Sequence, residues 1–205
     1  MSSMMSENVT APRMKAADRR DLILEAATAV FGAKSYVGTT TDEVARAAGV
    51  SQPYVVRLFG SKAKLYIAVI ERAYECVINA FREVLPGPDE ERTARLGAAY
   101  SGLLAERGML PVIANSTALG GDPEIGPVAR EGFNAIWRFV RDEAGFTEEE
   151  TRAFMANGML INAIVGLRLV GDYGTDASVT EVLDSCFPDA AAKVRELMPE
   201  AGEPW

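Results

Sequence analysis

Apolar residues return every three or four positions along most of this chain, and no alternating pattern of useful length interrupts them. Ile23, Ala26, Ala27, Val30 and Phe31 recur at i, i+3, i+4, i+7 and i+8. They predict an amphipathic helix over 18–34, with Asp18 as its N-cap and Tyr36 to Gly38 as its end. Thr40-Thr41-Asp42-Glu43 then forms a capping box, in which the Thr40 hydroxyl takes the Glu43 amide and the Glu43 carboxylate reaches back. A short helix follows to Ala48. Gly49 breaks it at a point that calls for positive φ. Ser51 caps the next helix, and Pro53 fits in its first turn. Val44, Ala48, Val50, Val55 and Leu58 are the expected core between these two short helices. Gly60-Ser61 opens a long helix carrying Leu65, Val69, Ala73, Val77, Ala80 and Val84, and Pro86-Gly87-Pro88 stops it.

Helical patterns continue over about 89–107, 109–119, 123–144 and 147–170, with a last one near 188–198. Pro111 falls in the first turn of the second of these. Thr147 and Glu150 make a second capping box. Residues 1–17 are rich in Ser and Met, lack the apolar core of a signal peptide, and are expected as a disordered arm. The fold class is all-α. The division is an arm at 1–17, a three-helix unit at 18–62 and a larger helical domain at 63–205.

Two short helices joined by a tight turn, followed at once by a third, are the layout of a helix-turn-helix, which places one helix in the DNA major groove. Charge adds to this. The chain has a net charge of −8, but residues 1–70 hold nine Lys/Arg against six Asp/Glu, a net of +3. The remaining twelve Lys/Arg and twenty-three Asp/Glu give residues 71–205 a net of −11. An N-terminal third that faces nucleic acid and a body that does not is the reading. Residues 18–75 resemble the TetR family of bacterial transcriptional regulators. The likeness rests on Phe31, Gly38, Thr40, Val44-Ala45, Ala48-Gly49-Val50-Ser51, Phe59, Lys62 and Leu65 at the family's mutual spacing. It implies a homodimer whose C-terminal domain binds a small effector. One position departs: Val56 stands where the family carries a phosphate-contacting tyrosine. Tyr54 lies two residues earlier, about 200° round the helix, and cannot simply replace it.

Gln52, Pro53, Tyr54 and Arg57 are the expected base-facing surface, since Gln bonds adenine and Arg bonds guanine or phosphate. Ser51, Thr39, Thr40 and Thr41 flank it; the resemblance implies phosphate contacts for the threonines, with Thr40 capping first. Lys62 and Lys64 follow Ser61 at a helix N-terminus, where free amides and the helix dipole favour phosphate. In the second domain Tyr100, Met109, Phe133, Trp137 and Met159 are expected to line an apolar cavity, with Asn134 and Arg138 as polar anchors; Asn115 and Asn162 also sit among apolar residues. The helix around 153–170, with Gly158 and Gly166, is expected as half of a dimer interface.

The sequence has no histidine, which excludes a Ser-His-Asp triad, a Cys-His nucleophile and imidazole-ligated zinc. Glu148-Glu149-Glu150 reads as an acidic first turn rather than a metal cluster. Cys76 and Cys186 fall in apolar helical patterns and read as reduced thiols. The longest apolar run, Gly158 to Val170, contains Asn162 and Arg168 and falls short of the roughly 20 residues of a membrane span. The expectation is a soluble, cytoplasmic, non-enzymatic DNA-binding homodimer without metal or cofactor. It is expected to be a repressor released from its operator by a small hydrophobic effector. The alternative is a DNA-binding dimer whose second domain only dimerises or binds a protein.

Overall fold

The computed structural model describes residues 16–187 together with 194, 196 and 197. Helix α1 spans Ala16–Gly38 and buries Ile23, Leu24, Ala27 and Phe31. It starts earlier than expected, so Asp18 sits in its first turn rather than capping it. Ser35 breaks its regularity with φ 58° and ψ 177°. The Thr39 hydroxyl donates to the freed Ser35 carbonyl at 2.8 Å.

Helix α2 spans Thr41–Ala47. Its capping box forms as expected: the Glu43 amide donates to the Thr40 hydroxyl at 3.2 Å, and the Thr40 amide donates to the Glu43 carboxylate at 2.9 Å. Lys34 adds a bond to the same carboxylate at 2.5 Å. These donors, Lys34 foremost, hold the Glu43 carboxyl down to about 2. Gly49 has φ 64°, which turns the chain into α3, Gln52–Phe59. Within α3, Val55 and Phe59 point inward. Leu58, expected in this core, is 39% exposed, because position 59 shares the Val55 face and position 58 falls at its edge.

Helix α4, Lys62–Val84, is capped by Ser61, whose hydroxyl accepts from the Lys64 amide at 3.1 Å. It buries a broad stripe that includes Leu65, Tyr66, Val69, Ile70, Tyr74 and Phe81. A stripe this broad suits a central helix: α4 packs on α1 and on three helices of the second domain, α5 (Arg92–Gly102), α6 (Met109–Thr117) and α7 (Ile125–Arg138). Arg95 closes the end of α4 by donating to the carbonyls of Val84, Leu85 and Pro88 at 2.9, 3.1 and 2.7 Å. Helix α8, Glu148–Leu167, follows a π turn at Phe139–Glu143, and its Thr147–Glu150 capping box is formed. The predicted 89–107 helix is shorter as α-helix, flanked by 3-10 turns at Asp89–Glu91 and Leu103–Ala105.

Helix α9, Ala177–Cys186, was not foreseen. It is ten residues long, buries Leu183 and Cys186, and is capped by Asp176, too sparse a pattern to stand out. The helix expected near 188–198 falls largely outside the described residues. The core of the second domain gathers around Phe81, whose ring lies 6.3, 5.8 and 5.7 Å from those of Tyr100, Phe139 and Phe154. The two parts of the molecule meet where backbone touches backbone. A Cβ on Gly32 of α1 would fall 2.5 Å from the Cα of Gly108, the residue that caps α6 with φ 80°. Both cysteines are free thiols. Among the described residues no helix is long and apolar enough to cross a membrane.

Candidate nucleic-acid interface and ligand cavity

Helix α3 buries Val55 and Phe59, so Pro53, Val56 and Arg57 project outward. Tyr54 is half-buried, with the guanidinium groups of Arg57 and Arg19 at 5.1 and 5.6 Å from its ring centre. Arg20 lies 5.4 Å from the ring of Phe59. Two arginines at the start of α1 therefore gather around the helix that carries Arg57. Among the described residues none of the three has a carboxylate at ion-pair distance. Arg19 and Arg20 were missed in the sequence because Asp18 and Asp21 flank them and they lie outside the helix-turn-helix. Gln52 is half-buried and donates to the Thr41 hydroxyl at 3.2 Å, which orients its amide. Ser51 and Lys64 are exposed.

Two of the expected phosphate contacts have other roles. Thr39 is 1% exposed, and its hydroxyl bonds the Ser35 carbonyl, so it is a structural tie for the end of α1. Lys62 is half-buried: its ammonium donates to the carbonyls of Tyr36 and Thr39 at 3.0 and 3.1 Å and lies 4.4 Å from the centre of the Tyr36 ring. Lys62 therefore fastens the broken end of α1 to the start of α4. Thr40 is occupied in its capping box, and Thr41 accepts from Gln52.

In the second domain a cavity of about 70 Å³ lies among α4, α5, α6, α7 and α8. Of the residues expected to line it, Tyr100, Phe133 and Met159 do so, joined by Tyr74, Phe81 and Phe154. Met109 does not: it begins α6 and is 1% exposed within the core. Asn134, Trp137 and Arg138 also lie outside it. The inward face of α7 is Ile125, Ala129, Gly132 and Ile136, which turns Asn134 and Arg138 to solvent, where Arg138 pairs with Glu131. Trp137 is half-buried away from the cavity. The polar anchor present is Asn162, whose side-chain oxygen accepts from the Tyr100 hydroxyl at 2.9 Å. Burial pushes the Tyr100 phenol well above the usual tyrosine range, so it stays protonated and able to donate. Gly158 faces Tyr100 and lines this cavity, whereas Gly166 opens outward with nothing near it.

Comparison with known proteins matches residues 23–69 to the model of bacterial regulatory proteins of the tetR family. Residues 23–69 thus carry the tetR-family domain of bacterial regulatory proteins. Such proteins regulate transcription and are not enzymes. The chain is 37% identical over 87 residues to the HTH-type transcriptional activator FasR of Mycolicibacterium smegmatis, covering 42% of this chain and 39% of that protein. It is 37% identical over 71 residues to the HTH-type transcriptional repressor NicS of Pseudomonas putida, covering 34% of each. The match thus spans well under half the length of either curated relative. A solved TetR-like transcriptional regulator from Rhodococcus sp. RHA1 superposes over 90% of this chain and 96% of its own, with a TM-score of 0.61 and 20% identity. That likeness extends the shared fold across the second domain.

Proposed function

We propose that this chain is a homodimeric operator-binding regulator of the cytoplasm, acting as a repressor that a small hydrophobic effector releases. The observation that carries the DNA-binding part is the set of unpaired Arg19, Arg20 and Arg57 around the outward face of α3. Pro53, Arg57 and the Gln52 amide held by Thr41 then read base edges, while Arg19, Arg20, Ser51, Thr40, Thr41 and Lys64 meet phosphates. The dimer forms on α8, where Ala156, Leu160, Ala163 and Leu167 recur at i, i+4, i+7 and i+11 and are exposed. Leu160 and Leu167 are 45% and 69% exposed, more than a lone helix face in water favours.

Release is geometric. The cavity is walled by α4 and α6, and both also pack on α1. A ligand that binds better when α6 has shifted also shifts α1 and the spacing of the two α3 helices in the dimer. The cavity's small size favours a second reading, a regulator whose C-terminal domain only dimerises. Selection of operators from a random duplex pool, followed by release assays with apolar compounds, separates the two. Operator binding that an apolar compound reverses supports the effector reading. Operator binding that none of them alters supports the dimerisation reading, and no operator at all overturns both.

A further inference from the structure

Two chambers flank α5. The first is the 70 Å³ cavity, and the second is a groove of about 530 Å³ between α5, α8 and α9. Small side chains at Ala94, Ala98 and Ser101 line the α5 side of the groove, and Phe187, Val194 and Leu197 also line it. Gly97, Asn157 and Ile161 line both chambers. Gly97 lies inside a helix, where glycine is less stable than alanine. It has no turn to make, and a Cβ built on it would meet no atom within 4 Å. A side chain at this point would enter open space. Alone, the first chamber of about 70 Å³ is too small for a drug-sized ligand; the groove, at about 530 Å³, falls within the roughly 300–1,000 Å³ of small-molecule pockets and the first chamber would lengthen it.

None of the described residues lining either chamber is charged. A ligand carboxylate or phosphate there would lose its hydration with no ion to meet. The Tyr100–Asn162 bond leaves the Asn162 amide NH2 to donate and the Tyr100 oxygen to accept. That pair suits one hydroxyl or carbonyl group. We propose that the two chambers are a single elongated site, joined at Gly97, for a neutral chain-like apolar ligand whose one polar group sits at Tyr100 and Asn162. The proposal rests on the effector reading and adds the class of ligand.

The test uses the full chain with Nile red as a neutral reporter, displaced by straight-chain primary alcohols from hexanol to tetradecanol and by the matching carboxylates. Beyond the length the first chamber holds, each added methylene tightens binding by about fourfold. The carboxylates bind at least about tenfold more weakly than the alcohols of equal length. Gly97→Leu blocks the junction, returns the long alcohols to the affinity of short ones, and melts no lower than the parent. An affinity that stops rising with the shortest alcohols in the parent overturns the joined site, as it would if a second copy or the chain's own C-terminal segment filled the groove. Because that series is read on the parent, it decides even if the leucine variant does not fold. A Gly97→Leu protein that folds and keeps the parent's length dependence also overturns it. A parent that binds neither Nile red nor any alcohol overturns the effector reading itself.

Discussion

The contact between Gly32 and Gly108 sets how the DNA-facing unit is held against the second domain, and Gly32→Ala probes it directly. The new Cβ would lie 2.5 Å from the Gly108 Cα, 2.7 Å from its oxygen and 3.0 Å from its carbonyl carbon. An ordinary contact begins at 3.4 Å, so the nearest atom must retreat by 0.9 Å, and that atom is backbone. Gly108 lies against the same stretch of α1 through its other face as well, because its own missing Cβ points into the backbone of Thr28 and Ala29. Overpacking of this kind costs about 1–3 kcal/mol. Alanine also gains about 1 kcal/mol of helix preference over glycine, which partly masks the cost. Gly97→Ala supplies the control: it makes the same exchange inside a helix but meets nothing within 4 Å. The helix preference cancels between the two variants, so their difference in unfolding free energy isolates the clash. Urea denaturation of both should place Gly32→Ala about 1–3 kcal/mol below Gly97→Ala. Operator affinity should fall for Gly32→Ala alone, since α1 carries Arg19 and Arg20, the proposed phosphate contacts. Equal stability of the two variants, with unchanged operator affinity, would refute the idea that this joint couples the two parts.

Lys64→Ala should reduce the salt dependence of operator binding by about one unit of log–log slope, with little change in melting temperature. Lys62→Ala should do the reverse: losing its bonds to the carbonyls of Tyr36 and Thr39, it should destabilise the chain by about 1.5–3 kcal/mol in urea while leaving the salt slope near the parent's. The Glu43 carboxyl is held at about 2 against an ordinary 4.5, so its share of stability is complete above about pH 4.5 and disappears as pH falls toward 2. Melting curves of Glu43→Gln and the parent should differ at pH 6 and converge in that acid range, as roughly expected for one linked carboxylate. Leu160→Glu puts a charge on the exposed apolar face of α8 and should sediment as a monomer in analytical ultracentrifugation, where the parent is expected as a dimer, without lowering helix content by circular dichroism.

The local signals in the sequence were strong where the chain's own neighbours decide the structure. Both capping boxes, the positive φ of Gly49 and the serine cap of α4 are set by residues within a few positions of each other, and all appear where the pattern put them. Contacts between distant segments were not legible. Lys62 meets Tyr36 from 26 positions away, so its ammonium looked free for phosphate. Arg19 reaches Tyr54 only because the fold brings the start of α1 close to α3. In α7 the apolar spacing was read correctly, but which arc faces inward depends on α4: Gly132 lets the Tyr74 ring lie against the backbone, and this turns Asn134 and Arg138 outward. Met109 looked like any other methionine near a bundle, yet its place at the Gly108 joint buries it in the core.

The central claim is that paired α3 helices, with the arginines around them, read duplex DNA. Hydroxyl-radical footprinting of the selected operator tests it most directly. Two protected patches are expected on one face of the duplex, centred one helical turn apart, about 34–36 Å, with both lost in Arg57→Ala at moderate salt. A single protected patch, or a footprint that survives Arg57→Ala unchanged, would contradict it.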